Sequence, residues 1–150
     1  MVGIRLGLAV RQASIRPTKG ARGQVIHLKS SGKSSNNASL GRLINEGVML
    51  YAGSLAEARH TGYVHHEGAG RIEGLFGRAV APGTDYDHVG VIVVQLTRDG
   101  REQDALARWL RRRAEVWVEN EWRRIERVAE ALLERETLTR RAIVSLMRAA

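Results

Sequence analysis

Hydrophobic positions change their period three times along this chain. Residues 2–10 (VGIRLGLAV) are apolar around a lone Arg5, the pattern of the last turns of a buried helix or of a strand. Residues Val10–Ile15 alternate loosely and stop at Pro17, and after a turn at Lys19–Gly23 a second short β-type run covers Gly23–Leu28. The pair predicts a hairpin. Ser30–Asn37 is rich in Ser, Gly and Asn and is expected to be a loop. From Ser39 the period becomes helical, with Leu40, Leu43, Ile44, Val48, Tyr51 and Leu55 on one face.

Residues 60–84 are glycine-rich, hold His60, His65, His66 and Pro82, and predict mostly loop. Tyr86–Leu96 reads as a buried helix, although Val91–Val94 would equally suit a strand. Gly100 marks a break, and helices are expected over 101–118, 119–135 and 139–148. In the middle one Trp122, Ile125, Ala129, Leu132 and Leu133 form the apolar stripe. Thr139 is placed to cap the last helix, but Arg140 and Arg141 follow where the helix dipole favours acids. The fold class expected is mainly α with a small β-hairpin or sheet element. With 150 residues, no internal repeat and no linker, one domain is expected over 1–150.

Composition narrows the chemistry. Cysteine is absent, which excludes a disulfide scaffold, a thiolate metal ligand and a cysteine nucleophile. No apolar run has a membrane-spanning length and no leader pattern opens the chain, so a cytoplasmic location is expected. Lys and Arg number 24 against 16 Asp and Glu, a net charge of +8 that raises nucleic acid as a partner. The basic residues are spread fairly evenly, with two local clusters, Arg111–Arg113 and Arg16–Lys33, the latter including Lys19 and Lys29. Phosphate binding wants one-signed charge on one face with aromatics to stack on bases. Here acids interleave with the arginines of the last third and the chain has a single Phe, so a solvated arginine-rich surface is preferred over a nucleic-acid site.

Two chemical motifs fail on spacing. Gly32-Lys33-Ser34 resembles the end of a phosphate loop, but the glycine required five residues earlier is His27, and no ATP site is expected. His66-Glu67 with Gly70 lacks the second histidine of a zinc-binding HExxH helix, which leaves His60, His65 and His66 as an adventitious cluster. Trp109, Trp117 and Trp122 could anchor a protein partner or a second copy of the chain, or simply fill a core.

Four segments taken in order resemble the peptidase domain of FtsH-type ATP-dependent zinc metalloproteases. Val10–Pro17 with Gly23–Leu28 is similar to the hairpin that follows the family's catalytic helix. Ala52-Gly-Ser-Leu-Ala-Glu57 through Gly62 is similar to its Gly-Gly-x-Ala-Ala-Glu segment, and Gly83-Thr-Asp-Tyr-Asp87 to its Gly-Ala-x-x-Asp element. Ala129–Leu138 is similar to its C-terminal helix and turn. The resemblance implies a largely helical fold, hydrolysis of peptide bonds by zinc-activated water, and an unfolded polypeptide or protein partner. It places Asp87 at the third zinc-ligand position, with Asp85 a rival and an N-cap the alternative role. It aligns Gln24, Val25, Ile26, His27 and Leu28 with the strand along which substrate lies, and Glu57 with the family's Ala-Glu glutamate.

The same resemblance puts the family's His-Glu-x-Gly-His-Ala immediately before a segment like residues 2–10. Residues 1–150 therefore hold neither histidine ligand nor the general base, and no ATPase module. One aspartate cannot retain zinc, since a catalytic site uses three protein ligands. The expectation is an inactive peptidase-like domain, alternatively a non-catalytic interaction module.

Overall fold

The computed structural model describes residues 1–17, 24–27, 36–62 and 84–148. These are mainly helical with one small antiparallel sheet. In chain order the elements are α1 (Val2–Arg5), β1 (Val10–Ser14), β2 (Gln24–His27), α2 (Asn36–Thr61), α3 (Asp85–Leu96), α4 (Gly100–Asn120), α5 (Trp122–Arg135), β3 (Thr137–Thr139) and α6 (Arg140–Arg148). They group into two compact units, one of Met1–Lys33 with Asn120–Ala150 and the other of Ser34–Glu119. Among the described residues no helix is long and apolar enough to cross a membrane.

In the first unit α1 is a single turn closed by a Schellman motif. Gly7 adopts the left-handed φ of 78°, its N–H donates to the Ile4 carbonyl (3.1 Å) and the Leu8 N–H to the Gly3 carbonyl (2.8 Å). Both expectations for residues 2–10 were half right, because a helix end and a strand start share the segment. The hairpin forms as expected, β1 pairing with β2, and β1 pairs on its other side with β3, giving the order β2-β1-β3. Val10 and Ala13 are both buried although three residues apart. A register shift between Val10 and Gln12 accounts for this, since one extra residue returns the strand to its inward face.

Above the sheet, Ala13, Val128, Ala131, Leu138 and Ile143 form the core, joined at its rim by Met1, Ile4, Leu132, Leu146 and Met147. The α5 stripe is thus rotated from the expected one. Leu133 is 75% exposed and Ala129 is exposed too, while Val128 and Ala131 face inward. The reason is at the helix start. The buried carboxylate of Glu121, 5% exposed, takes the inward position one turn before Ile125 and two turns before Val128. Arg5 donates to its Oε1 from Nε (3.2 Å) and Nη2 (2.9 Å), and Arg124 to its Oε2 (3.0 Å). Arg124 Nε also reaches the Met147 carbonyl (3.1 Å) at the end of α6. One carboxylate therefore ties α1, the start of α5 and the end of α6.

The last helix resolves the puzzle of its arginines. Thr139 caps it, accepting the Ala142 N–H (3.4 Å). Arg140 opposes the dipole but donates to the carbonyls of Leu8 (3.3 Å) and Val10 (3.4 Å), binding α6 to the α1–β1 link. The turn before β3 holds Glu136 at φ 58°. Its carbonyl accepts the Ile15 N–H (2.9 Å) and the Ser14 hydroxyl (3.2 Å), which outweighs the cost of a left-handed non-glycine residue.

The second unit packs α2 along α3, with α4 touching α2 at Gly47. Helix α2 begins at Asn36, within the stretch expected to be a loop, and ends where the Thr61 hydroxyl donates to the Glu57 carbonyl (2.9 Å) and Gly62 turns left-handed. Residues 85–96 are helix, the strand alternative for Val91–Val94 being overruled once Val89, Ile92 and Val93 bury at helical spacing. Asp99 caps α4, accepting the N–H groups of Arg101 (2.8 Å) and Glu102 (3.0 Å). Val48, Val93, Leu110 and Ala114 are fully buried. Helices α2 and α4 approach closely at Gly47, where a Cβ would sit 3.0 Å from a Leu110 methyl.

Two outcomes follow for stability. Glu121→Ala leaves Arg5 and Arg124 without their shared acceptor and is expected to cost about 3 kcal/mol in urea unfolding, the low end for a buried pair because both arginines reach solvent. Gly47→Ala should cost about 1 kcal/mol in the same measurement, the overpacking against Leu110 exceeding the gain in helix propensity.

Candidate functional site

The strand expected to take substrate is an edge strand. Residues Gln24–His27 pair with β1 on one side, and the sheet order places no further described strand on the other. Val25 is 49% exposed. An edge strand offers a row of N–H and C=O groups to an extended chain, with alternate side chains pointing away from each face. Leu28 lies outside the described residues. Among the described residues β2 is thus a four-residue edge of the first unit, held in register through Ala13↔Val25 and Gln12↔Ile26.

Asp87 belongs to the other unit, in the first turn of α3. The Thr84 hydroxyl accepts the Asp87 N–H (3.3 Å), and Thr84 has the extended backbone of an N-cap. The capping role considered for Asp87 and Asp85 is therefore taken by Thr84. Asp85 is the first helical residue and its carboxylate oxygen lies against the Gly53 backbone position, 3.8 Å from where a Cβ would stand. Partial burial pushes the Asp85 carboxyl up, opposed by His88 one turn later. Asp87, half-buried, shares its helix face with Val91 and Val94 at i+4 and i+7, which are 51% and 50% exposed.

Beside this turn the two segments of the second unit meet through aromatic rings. Tyr51, buried on α2, and Tyr86 on α3 make an edge-to-face contact with centroids 5.9 Å apart. Burial, reinforced by Tyr86 and opposed by Arg111, pushes the Tyr51 phenol up to about 12. Glu57 and His60 are exposed further along α2. His65 and His66 lie outside the described residues. Among the described residues no three His, Asp or Glu side chains are grouped to hold a metal.

The basic run of α4 is largely engaged within its own helix. Arg111 (3.3 Å) and Arg112 (3.1 Å) both reach Glu115, and the Arg113 guanidinium lies 5.4 Å from the centre of the Trp109 ring. Of the three tryptophans, Trp117 and Trp122 are partly buried and Trp109 is 47% exposed. Sequence periodicity alone missed Glu121 and Thr84; the signal for Thr84 was a threonine directly before the two acids of a first helical turn.

No protein-family model matches this chain, and no curated protein matches it.

A phenol whose folded value exceeds its unfolded value of 10 favours the fold while neutral. That contribution is complete below pH 10 and is lost as pH rises through about 12. Chemical unfolding at intervals across this range should show a loss of about 2–3 kcal/mol, and Tyr51→Phe should flatten the slope.

Proposed function

We propose that this chain is a homologue of FtsH-type peptidase domains that holds extended polypeptide along β2, without hydrolysing it on residues 1–150 alone. The observation that carries the reading is the sheet order, which leaves β2 at the edge with Val25 half-exposed. An unfolded segment laid there gains main-chain hydrogen bonds regardless of its sequence, and alternate side chains add selectivity.

The spatial pairing of the four resembling segments supports the same reading. The hairpin and the C-terminal turn, more than a hundred residues apart in sequence, share one sheet through Gln12↔Thr139, Ala13↔Leu138 and Ser14↔Thr137. The Ala52-Gly53 segment and the Gly-x-x-Asp element meet at the Tyr51–Tyr86 contact and at Asp85 over Gly53. Convergence of this kind is what a shared fold requires of segments that resemble it in order.

Zinc is the group the resemblance implies, and the described residues do not fit it on their own. They offer Asp87 at the third-ligand position and no cluster of three donors. A catalytic zinc uses three protein ligands and an open position. No hydrolytic step is therefore assigned to these residues.

Fluorescence anisotropy with a labelled unfolded casein fragment tests the reading. Binding is expected in the wild type, and one of Val25→Pro and Ile26→Pro should abolish it, since successive N–H groups point alternately into and out of the pair. Both variants should keep the helical circular dichroism of the wild type. Metal analysis of purified 1–150 should find well under one zinc per chain, with no casein cleavage. Undiminished binding in both proline variants would remove β2 as the site, and a tightly held stoichiometric zinc would contradict the metal-free reading.

A further inference from the structure

The net positive charge of this chain belongs to one of its two units. Met1–Lys33 with Asn120–Ala150 carries 14 Lys and Arg against five Glu, while Ser34–Glu119 carries 10 Arg against 11 Asp and Glu. Within the first unit the acids are confined to Glu121–Glu136, and residues 1–33 contain none. The unit that carries β2 is therefore the basic one, and its hairpin segment is one-signed. Arg11 is exposed beside the Val10↔His27 pair at one end of β2. Arg16 is exposed two residues beyond the Ser14↔Gln24 pair at the other end, where Glu136 (2.8 Å) offsets part of its charge. Between these ends Val25 lies opposite Ala13, a buried core residue, so both point to the same face of the sheet. A chain added beyond β2, about 4.8 Å away, sets one side chain beside Val25 on that face.

Resting on the reading of β2 as the edge that holds polypeptide, we infer that its occupant is an acidic extended segment, apolar beside Val25 and carrying Asp or Glu toward its ends. Main-chain hydrogen bonds hold any sequence, and the field of the basic unit selects among sequences. The screening length at 0.1 M salt, about 10 Å, matches the two strand spacings that separate β1 from the added chain. Arg11 and Arg16 therefore act on the occupant without touching it. Two copies of the edge carry the same sign and repel, so the charge that keeps the open strand from pairing with itself also favours an acidic occupant. A nucleic acid would answer the charge and leave the N–H and C=O groups of β2 unmatched.

Fluorescence anisotropy on the full chain tests this with three labelled unstructured peptides, each a central Thr-Val-Thr flanked on both sides by Glu, by Gln or by Lys. At low ionic strength the Glu peptide should bind at least about tenfold tighter than the Lys peptide, with the Gln peptide between them. Near 1 M salt, where the screening length falls to about 3 Å, the three should converge. Arg11→Glu combined with Arg16→Glu, at two exposed positions, should remove the preference while the Gln peptide binds as before. One of Val25→Pro and Ile26→Pro should abolish binding of the Glu peptide. Equal affinities for the Glu and Lys peptides, with binding still lost in a proline variant, would overturn the acidic preference and leave β2 as the edge. If no peptide binds, or if both proline variants bind normally, the reading of β2 falls and this inference with it. A single-stranded oligonucleotide that binds tighter than the Glu peptide and displaces it would overturn the inference in favour of a nucleic-acid surface.

Discussion

The first unit depends on one carboxylate that has been taken out of water. Glu121 stands at the break between α4 and α5, is almost fully buried, and is acceptable there only because Arg5 and Arg124 supply its hydrogen bonds. Removing a carboxylate from solvent costs several kcal/mol unless it is paired and its lone pairs are filled. The geometry follows from that requirement. Arg5 must hold α1 against the start of α5, and Arg124, shared with the Met147 carbonyl, must bring the end of α6 to the same point. With those three elements fixed, Val128, Ala131, Leu138 and Ile143 close over the sheet.

The sheet that this core supports is short, and its order matters more than its size. β1 lies in the middle, joined on one side to β3 through a turn stabilised by Ser14 and Ile15 against Glu136. Among the described strands, that leaves β2 paired along one edge only. An open edge is ordinarily a hazard that proteins blunt with charge or a cover. Here Val25 is half-exposed, an apolar side chain suited to an extended chain lying alongside. In the second unit the Tyr51–Tyr86 contact and Asp85 against Gly53 hold the turn that carries Asp87 beside α2.

Much of this was legible in the sequence where a single period ran long enough. The helices from Gly100 onward and the hairpin were clear because their apolar spacing and turn residues agreed. The α5 stripe was misjudged because counting apolar residues favours Ala129 and Leu133, whereas the inward position at the helix start belongs to an acid, Glu121. No hydropathy rule predicts a buried glutamate; its partners come from positions 5 and 124. The loose alternation of Val10–Ile15 hid a register shift that only pairing reveals. Arg140, which looked misplaced at a helix start, was explained by two carbonyls more than a hundred residues away. At the candidate site, the edge status of β2 depends on β3 joining the far side of β1, a long-range pairing that no local pattern encodes.

Residues 24–27 are proposed as the edge on which an extended polypeptide lies. Amide hydrogen exchange of the chain with and without an unfolded casein fragment reads it residue by residue. New protection is expected within 24–27 on binding, confined to the N–H groups that point away from β1, with β1 itself unchanged. Polypeptide that binds while leaving these amides exchanging as before would contradict it.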